Sequence, residues 1–334
     1  MVNYLVFLYG LISFFTVFSI TPWLIKYLRK IDIIVKDQNK ESKPLVPISG
    51  GLAVLAGMLS GLLLFIFFRV FFYNAGGLVL NTYNLMLIFA AMVSLFIISL
   101  VGFLDDLVIK SNKDASLGLK QWQKPLLTLA AAIPLMAVNA GTAKVALPFF
   151  GTVELGLIYP LIFIPIGVVG AANMVNMLAG FNGMETGMGI IYTGMLGLYA
   201  YINGRQVAAL IALVAFSSLL AFFYYNKVPA KILPGDSLTY LLGGVIAVIA
   251  ILGNIEKAAL IISIPFFIEF LLKLRGKFKM QSYGYGKDNK VHSLYNKIYS
   301  IPHLFTRSGK FTEKQIMYSM IIMEIFFSLL IWVV

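Results

Sequence analysis

Tyr83-Asn-Leu-Met-Leu-Ile-Phe-Ala-Ala-Met-Val-Ser-Leu-Phe-Ile-Ile-Ser-Leu-Val-Gly-Phe-Leu104 carries no charged residue, and Asp105-Asp106 follows it at once. As a helix this run would extend about 33 Å, enough to cross the hydrocarbon core of a bilayer. Similar apolar runs lie near residues 3–25, 49–72, 122–140, 156–177, 186–202, 206–225, 237–253, 257–273 and 315–334, each bounded by a polar or Gly/Pro break. The pattern predicts an all-α integral membrane protein of about ten transmembrane helices. The first run has no positive segment before it and leads straight into a basic loop, so it reads as a retained helix and not a cleaved signal. No internal repeat stands out, and residues 1–334 are read as a single polytopic domain.

Composition supports that class. Of 334 residues, 60% are hydrophobic and 12% charged, about half the charged share of a soluble domain. A soluble globule would have nowhere to bury so much apolar surface. The chain has no cysteine, which excludes disulfides, zinc-thiolate sites and a cysteine nucleophile. Two histidines leave little for a His-based metal cage.

The chain carries a formal net charge of +12, and 22 of its 26 Lys and Arg residues fall at 26–48, 105–124, 226–236 and 273–314. Only Arg69, Lys144, Arg205 and Lys257 fall in the alternate connections. This bias assigns the basic connections to the cytoplasm and both termini to the outside. The basicity is therefore a topological signal and calls for no nucleic-acid partner. On the outer side, Lys144-Val-Ala-Leu-Pro-Phe-Phe, Gly151-Thr and Val153-Glu-Leu read as a short external β-hairpin. The remaining outer connections are short, so catalytic loops are expected on the cytoplasmic face.

Acids gather at the same boundary. Asp105, Asp106, Glu185 and Asp236 each lie where an apolar run meets a cytoplasmic connection, and charge at membrane depth is costly enough to mark candidate function. On a helix Asp105 and Asp106 point about 100° apart, so they do not form a tight dyad; a solvated helix end is the plainer reading. Asn173 and Asn176 share a helix face, offering neutral oxygens and NH2 donors to a hard cation or a base, or else to a neighbouring helix. The glycines at 180, 183, 187 and 189 permit close backbone approach. Asp236, after Pro234-Gly235, could cap a helix or hold Mg2+. Lys43 and Lys124 add cations near that face. Such a set suits a diphosphate held through a metal. Deeper in the last two runs, Glu269 and Glu324 are expected to pair with polar groups on neighbouring helices.

Taken together, Gly102-Phe-Leu-Asp-Asp106, Asn173-Met-Val-Asn-Met-Leu-Ala-Gly-Phe-Asn-Gly-Met-Glu185 and Pro234-Gly-Asp-Ser237 resemble the motifs of the polyprenyl-phosphate N-acetylhexosamine-1-phosphate transferases, as does Pro47-Ile-Ser-Gly-Gly51. The middle motif is most similar to that of the eukaryotic and archaeal dolichyl-phosphate GlcNAc-1-phosphotransferases; the bacterial UDP-MurNAc-pentapeptide transferase has an aspartate-rich version there. The resemblance implies that Asn176 and Asp236 coordinate Mg2+, with Mn2+ as a substitute. It implies that Gly180 and Asn182 touch uridine, with Asn173 and Glu185 of the same motif also at the substrate. Lys124 would meet the pyrophosphate, and Asp105 with Asp106 would be the essential acidic pair. The last cytoplasmic loop departs from the family, lacking both the bacterial histidine triplet and the eukaryotic Arg-His-Arg. That leaves His292, His303 and Arg307 as candidates for sugar or diphosphate contact, or for ordering the loop.

The implied reaction is attack by a lipid phosphate oxygen on the phosphorus bearing the sugar in UDP-GlcNAc, releasing UMP and giving a lipid-linked GlcNAc diphosphate. This is the first step of lipid-linked glycan assembly for N-glycosylation, in an archaeal plasma membrane or an endoplasmic reticulum. A phosphate monoester has a second pKa of about 6, so the nucleophile is largely dianionic at neutral pH. Asp105 or Asp106 is accordingly expected to orient Lys124 and the acceptor and not to abstract a proton. The expected partners are UDP-GlcNAc, a polyprenyl or dolichyl phosphate and the lipid bilayer, with a homodimer as the assembly to be tested. The alternatives are an undecaprenyl-phosphate transferase for cell-envelope glycans and, from another class, a polytopic transporter. A transporter predicts charged or broken helices at the bilayer midplane and inverted repeats, and neither is read in the sequence.

Overall fold

The computed structural model describes residues 5–72, 81–110, 118–147 and 151–333, and these are mostly helical. Helix α1 (Leu5–Lys30) leads into a two-stranded antiparallel ribbon, β1 (Ile34–Lys36) with β2 (Leu45–Pro47). Helices α2 (Gly51–Phe71) and α3 (Thr82–Lys110) follow. Next come α4 (Gln123–Leu129), α5 (Ile133–Ala137) and the strands β3 (Lys144–Leu147) and β4 (Gly151–Glu154). The bundle continues with α6 (Ile164–Leu178), α7 (Met184–Ile202), α8 (Gln206–Asn226) and α9 (Gly235–Gly253). It ends with α10 (Glu256–Ile262), α11 (Ile264–Arg275), the ribbon β5 (Tyr285–Lys287) with β6 (Lys290–His292), α12 (His303–Thr306) and α13 (Glu313–Leu329).

Seven helices among the described residues are long and apolar enough to cross a membrane: α1, α2, α3, α6 with the turn before it, α8, α9 and α13. The other three apolar runs take different forms. Residues 122–140 divide into α4, a 3-10 turn at Ala130–Ala132, and α5, which has Pro134 in its first turn. Residues 257–273 divide at Ser263 into α10 and α11, with Pro265 opening the second piece. Proline has no N–H to continue a helix, and such breaks are tolerated at membrane depth where neighbours cover them. Helix α7 is continuous for 19 residues, but Gly187, Gly189, Gly194 and Gly197 with several Thr and Tyr dilute its apolarity.

Helix α9 is the most buried of the seven candidate spans. It is apolar on every side, as expected of a helix surrounded by others; α2, α3, α6, α7, α8 and α10 all pack on it. Strands β3 and β4 pair antiparallel with Lys144 opposite Glu154 and Leu147 opposite Gly151; residues 148–150 of the expected hairpin lie outside the described residues.

Candidate active site

The first turn of α9 organises the site. Gly235 has φ +70, a left-handed conformation that suits glycine, and it turns the chain from Leu233-Pro234 into the helix. The Ser49-Gly50-Gly51 corner docks on this turn, with Gly50 N–H donating to Leu233 O at 3.0 Å and Gly51 N–H to Pro234 O at 3.1 Å. A Cβ on Gly51 would overlap the Ser237–Leu238 backbone and one on Gly50 the Phe222 ring, which explains the paired glycines. From the other side α3 approaches through Gly102, where a Cβ would overlap the carbonyl of Asp236.

That close approach delivers Asp106, one turn further along α3, to the start of α9. Its carboxylate accepts from Asp236 N–H at 2.7 Å and Ser237 N–H at 3.2 Å. These are among the amides that a helix leaves unpaired at its N-terminus, where negative charge is also favoured by the dipole. The capping group for α9 is therefore Asp106 on α3, and the Asp236 side chain is left free for other partners.

Asp105 has a different set. Its Oδ2 lies 2.7 Å from Lys124 Nζ and accepts from the Tyr240 hydroxyl at 3.3 Å, while its Oδ1 accepts from Leu119 N–H at 2.6 Å. Lys124 Nζ also lies 3.2 Å from Asp236 Oδ2. The lysine is thus held between two carboxylates on two helices. The expectation that the adjacent aspartates diverge agrees with this geometry, since one serves a side chain and the other a helix end.

Helix α6 contributes the amides. Asn176 Oδ1 accepts from the Thr239 hydroxyl at 2.8 Å, and its side chain is close enough to interact with Asp236. Asn173 donates to Thr128 Oγ1 at 3.1 Å. In the α6–α7 turn, Gly180 N–H donates to Glu185 Oε1 at 2.6 Å, whereas the buried Glu185 Oε2 has no partner among the described residues. Asn182 Nδ2 donates to Asp37 Oδ2 at 2.8 Å and its N–H donates to Glu313 Oε1 at 3.0 Å. Glu313 is also ion-paired with Lys40.

These groups line a cavity of about 560 Å³, within the range of small-molecule sites. Lys124, Asn173, Asn176, Gly180, Asn182, Glu185 and Asp236 all face it. Asp105 and Asp106 are 0% exposed and lie behind the wall, acting through Lys124 and α9. Lys43, exposed on the loop between β1 and β2, is not part of the lining, and neither are His292, which stacks on Tyr285, and Arg307, exposed beyond α12.

His303 lies behind the lining. One ring nitrogen accepts from Tyr299 N–H at 3.2 Å, and Nε2 lies 3.0 Å from the Gln281 carbonyl, so Nε2 carries the proton. Burial pulls its pKa down to about 4, keeping the ring neutral. It anchors the 281–283 segment that walls the cavity. Glu269 works on the same loop, accepting from Ile301 N–H at 2.8 Å and Ser282 Oγ at 3.4 Å, while Lys273 Nζ donates to Met280 O at 2.7 Å. Glu324 accepts from Ser328 at 3.1 Å within its own helix, where a neighbouring helix was expected to supply the partner.

Asp37 and Asn39, in Lys36-Asp-Gln-Asn-Lys40, belong to the site although no motif marks them. Asn39 Nδ2 donates to Gly180 O at 2.6 Å and its Oδ1 accepts from Gly284 N–H at 3.0 Å, which joins three loops across the cavity wall. The one sequence cue is a carboxylate and an amide inside a short basic loop.

Among the described residues no cluster of three or more His, Cys, Asp or Glu side chains could hold a metal. Asp236 with the neutral oxygen of Asn176 does fit an ion such as Mg2+, which commonly binds one or two carboxylates and completes its shell with water and phosphate oxygens.

A glycosyl transferase family 4 model matches residues 88–254, the stretch holding Asp105, Asp106, Lys124, both asparagines and Asp236. A Saccharolobus solfataricus protein with the provisional name UDP-N-acetylglucosamine–dolichyl-phosphate N-acetylglucosaminephosphotransferase is 35% identical, over 96% of this chain and 94% of its own. Its Sulfolobus acidocaldarius namesake is 31% identical over 96% and 93%. A phospho-N-acetylmuramoyl-pentapeptide-transferase of Lactiplantibacillus plantarum is 33% identical over 77% and 78%. With the family model covering half the chain and a relative matching it nearly end to end, this multi-pass membrane protein belongs to glycosyl transferase family 4.

Proposed function

We propose that this chain transfers GlcNAc-1-phosphate from UDP-GlcNAc to a dolichyl-type polyprenyl phosphate, releasing UMP. The observation that carries the reading is Lys124, fixed between Asp105 and Asp236 on a polar cavity beside Asn176. The printed names of the two archaeal relatives support the substrate pair.

In this reading Lys124 meets the diphosphate and offsets its charge, with Asp105 fixing the position of its ammonium. Phosphoryl transfer depends on positioning and charge neutralisation more than on covalent chemistry by the protein. The acceptor phosphate oxygen attacks the β-phosphorus, the bond from that phosphorus to the bridging oxygen breaks, and the electron pair leaves on UMP. Asp236 and Asn176 would hold Mg2+, which supplies charge neutralisation between the nucleotide phosphates. The acceptor approaches from the bilayer past Leu104, Trp122 and Leu126, exposed apolar residues near Asp105 and Lys124 in the chain. All ten apolar runs cross the membrane in this proposal, with α4–α5 and α10–α11 as broken spans, the β3–β4 ribbon and both termini outside, and the cavity at the cytoplasmic end with the basic connections.

The test offers purified protein radiolabelled UDP-GlcNAc or UDP-MurNAc-pentapeptide with dolichyl or undecaprenyl phosphate. Labelled lipid from UDP-GlcNAc and dolichyl phosphate, dependent on added Mg2+, is the expected result. Label confined to the muramoyl donor or to the undecaprenyl acceptor would contradict it.

A further inference from the structure

The last turns of α1 and the end of α8 lie side by side at the basic end of the bundle. The Phe18 ring of α1 is 5.7 Å from that of Tyr224 and 5.6 Å from that of Tyr225, and the Tyr225 hydroxyl donates to Phe18 O at 2.9 Å. Past this seam α1 buries Leu24 and Leu28 and turns Trp23, Lys26, Tyr27 and Lys30 outward, the i, i+3, i+4, i+7 spacing of one helix face, with Arg29 also exposed. The Trp23 and Tyr27 rings stack with centroids 5.4 Å apart although they are 58% and 46% exposed. Across the seam, the exposed Lys227 and Lys231 place their ammonium groups 5.4 and 5.2 Å from the centre of a single ring, that of Tyr224. The ring attracts both cations but brings two like charges together. Among the described residues none of these five cations forms a salt bridge, whereas Lys40, Lys124 and Lys273 each have a carboxylate. Asp32, past the end of α1, is the one acid within four positions of any of the five in the chain.

We propose that this flank of α1 and α8 is a binding surface for acidic phospholipids in the leaflet at the basic end of the bundle. Exposed aromatic rings at the end of a membrane helix belong at headgroup depth, where one side is apolar and the other wet. Cations placed just beyond such rings meet the phosphates, and a net negative headgroup balances a cluster that the chain itself leaves uncompensated. A zwitterionic headgroup brings its own ammonium and offsets less of that charge. Lipid held there would also fix the depth of α1 and α8 in the bilayer. None of the five cations lines the cavity, so the surface is independent of which substrates the cavity takes.

Trp23 is a built-in probe of the lipid beside it. The chain has 3 tryptophans, so full-length protein carrying Trp122→Phe and Trp332→Phe reports from Trp23 alone. It is placed in vesicles of equal parts phosphatidylcholine and phosphatidylglycerol, with one or the other brominated in its acyl chains to quench the fluorescence. Quenching is expected to show phosphatidylglycerol preferred at Trp23 by about threefold or more. Lys26→Gln, Arg29→Gln, Lys30→Gln, Lys227→Gln and Lys231→Gln in combination should return that ratio to about one. Should the combined variant fail to fold, salt carries the test: raising it from about 0.05 to 0.5 M should remove the preference with all five charges in place. The control keeps Trp332 alone, through Trp23→Phe and Trp122→Phe; it packs on Tyr199 at the far end of the bundle and should show no preference. Equal quenching of Trp23 by the two lipids would overturn the proposal, as would a preference equal to that at Trp332 or one that survives both salt and the loss of the five charges.

Discussion

Two adjacent aspartates with unlike duties give the sharpest prediction at the level of single residues. Asp106 accepts two backbone N–H groups, so Asp106→Asn would aim an NH2 at one of them and leave a buried donor unmatched. That is expected to cost about 2 kcal/mol, or roughly thirtyfold in kcat if the distortion falls on Asp236. Asp105→Asn would instead remove a charge from Lys124. Because the acceptor phosphate ionises near pH 6 unaided, both losses should persist from about pH 6 to 9 in a kcat profile. Recovery of both variants at high pH would reassign the pair to proton abstraction. His303 makes a pH prediction of another kind. Its pKa is about 4 when folded against an ordinary 6.5, so below pH 6.5 the unfolded chain takes up a proton that the folded one does not. The thermal midpoint should be unaffected above about pH 7 and fall as the pH drops from 6.5 toward 4, and His303→Gln should flatten that slope. The sequence shows that Asp105 and Asp106 diverge but not which partner each takes, and it leaves His303 open between substrate contact and ordering the loop, of which the structure shows the second. The difference arises from which helix packs behind each residue.

At the level of elements, the glycines in the motifs set helix spacing as much as loop shape. Gly102→Ala should push α3 from the first turn of α9, lowering both the thermal midpoint and the turnover, because the added methyl meets backbone that cannot turn aside. Gly167→Ala, on an open stretch of α6, is the matched control and should shift stability by no more than about 1 kcal/mol. A melting curve and an assay on each variant check this, and equal behaviour of the two would remove the role given to Gly102. Most elements were legible because long apolar runs and their boundaries are a property of local sequence. The interruptions at Ala130–Ala132 and Ser263 are invisible to average hydropathy, and their sequence cue is the proline that opens each restarted helix, Pro134 and Pro265. Asp37 and Asn39 escaped for a related reason: their partners Asn182 and Gly180 are more than 140 positions away.

For the whole molecule, the active-site groups come from the ends of α3, α4, α6 and α9 and from the loops after α1 and α11, all meeting at one cavity. Those same connections carry most of the Lys and Arg residues, so a labelling tag at Lys287 should be reached from the cytoplasm and one at the C-terminus from outside. The reverse accessibility would move the cavity away from cytoplasmic nucleotide sugar. The bond that breaks separates sugar-1-phosphate transfer from sugar transfer. UDP-GlcNAc labelled separately in the β-phosphate and in the sugar, given to the protein together with dolichyl phosphate, reads it. Transfer of sugar-1-phosphate predicts both labels in the lipid in equal amounts and UMP as the released nucleotide; sugar label alone in the lipid, with UDP released, would contradict it.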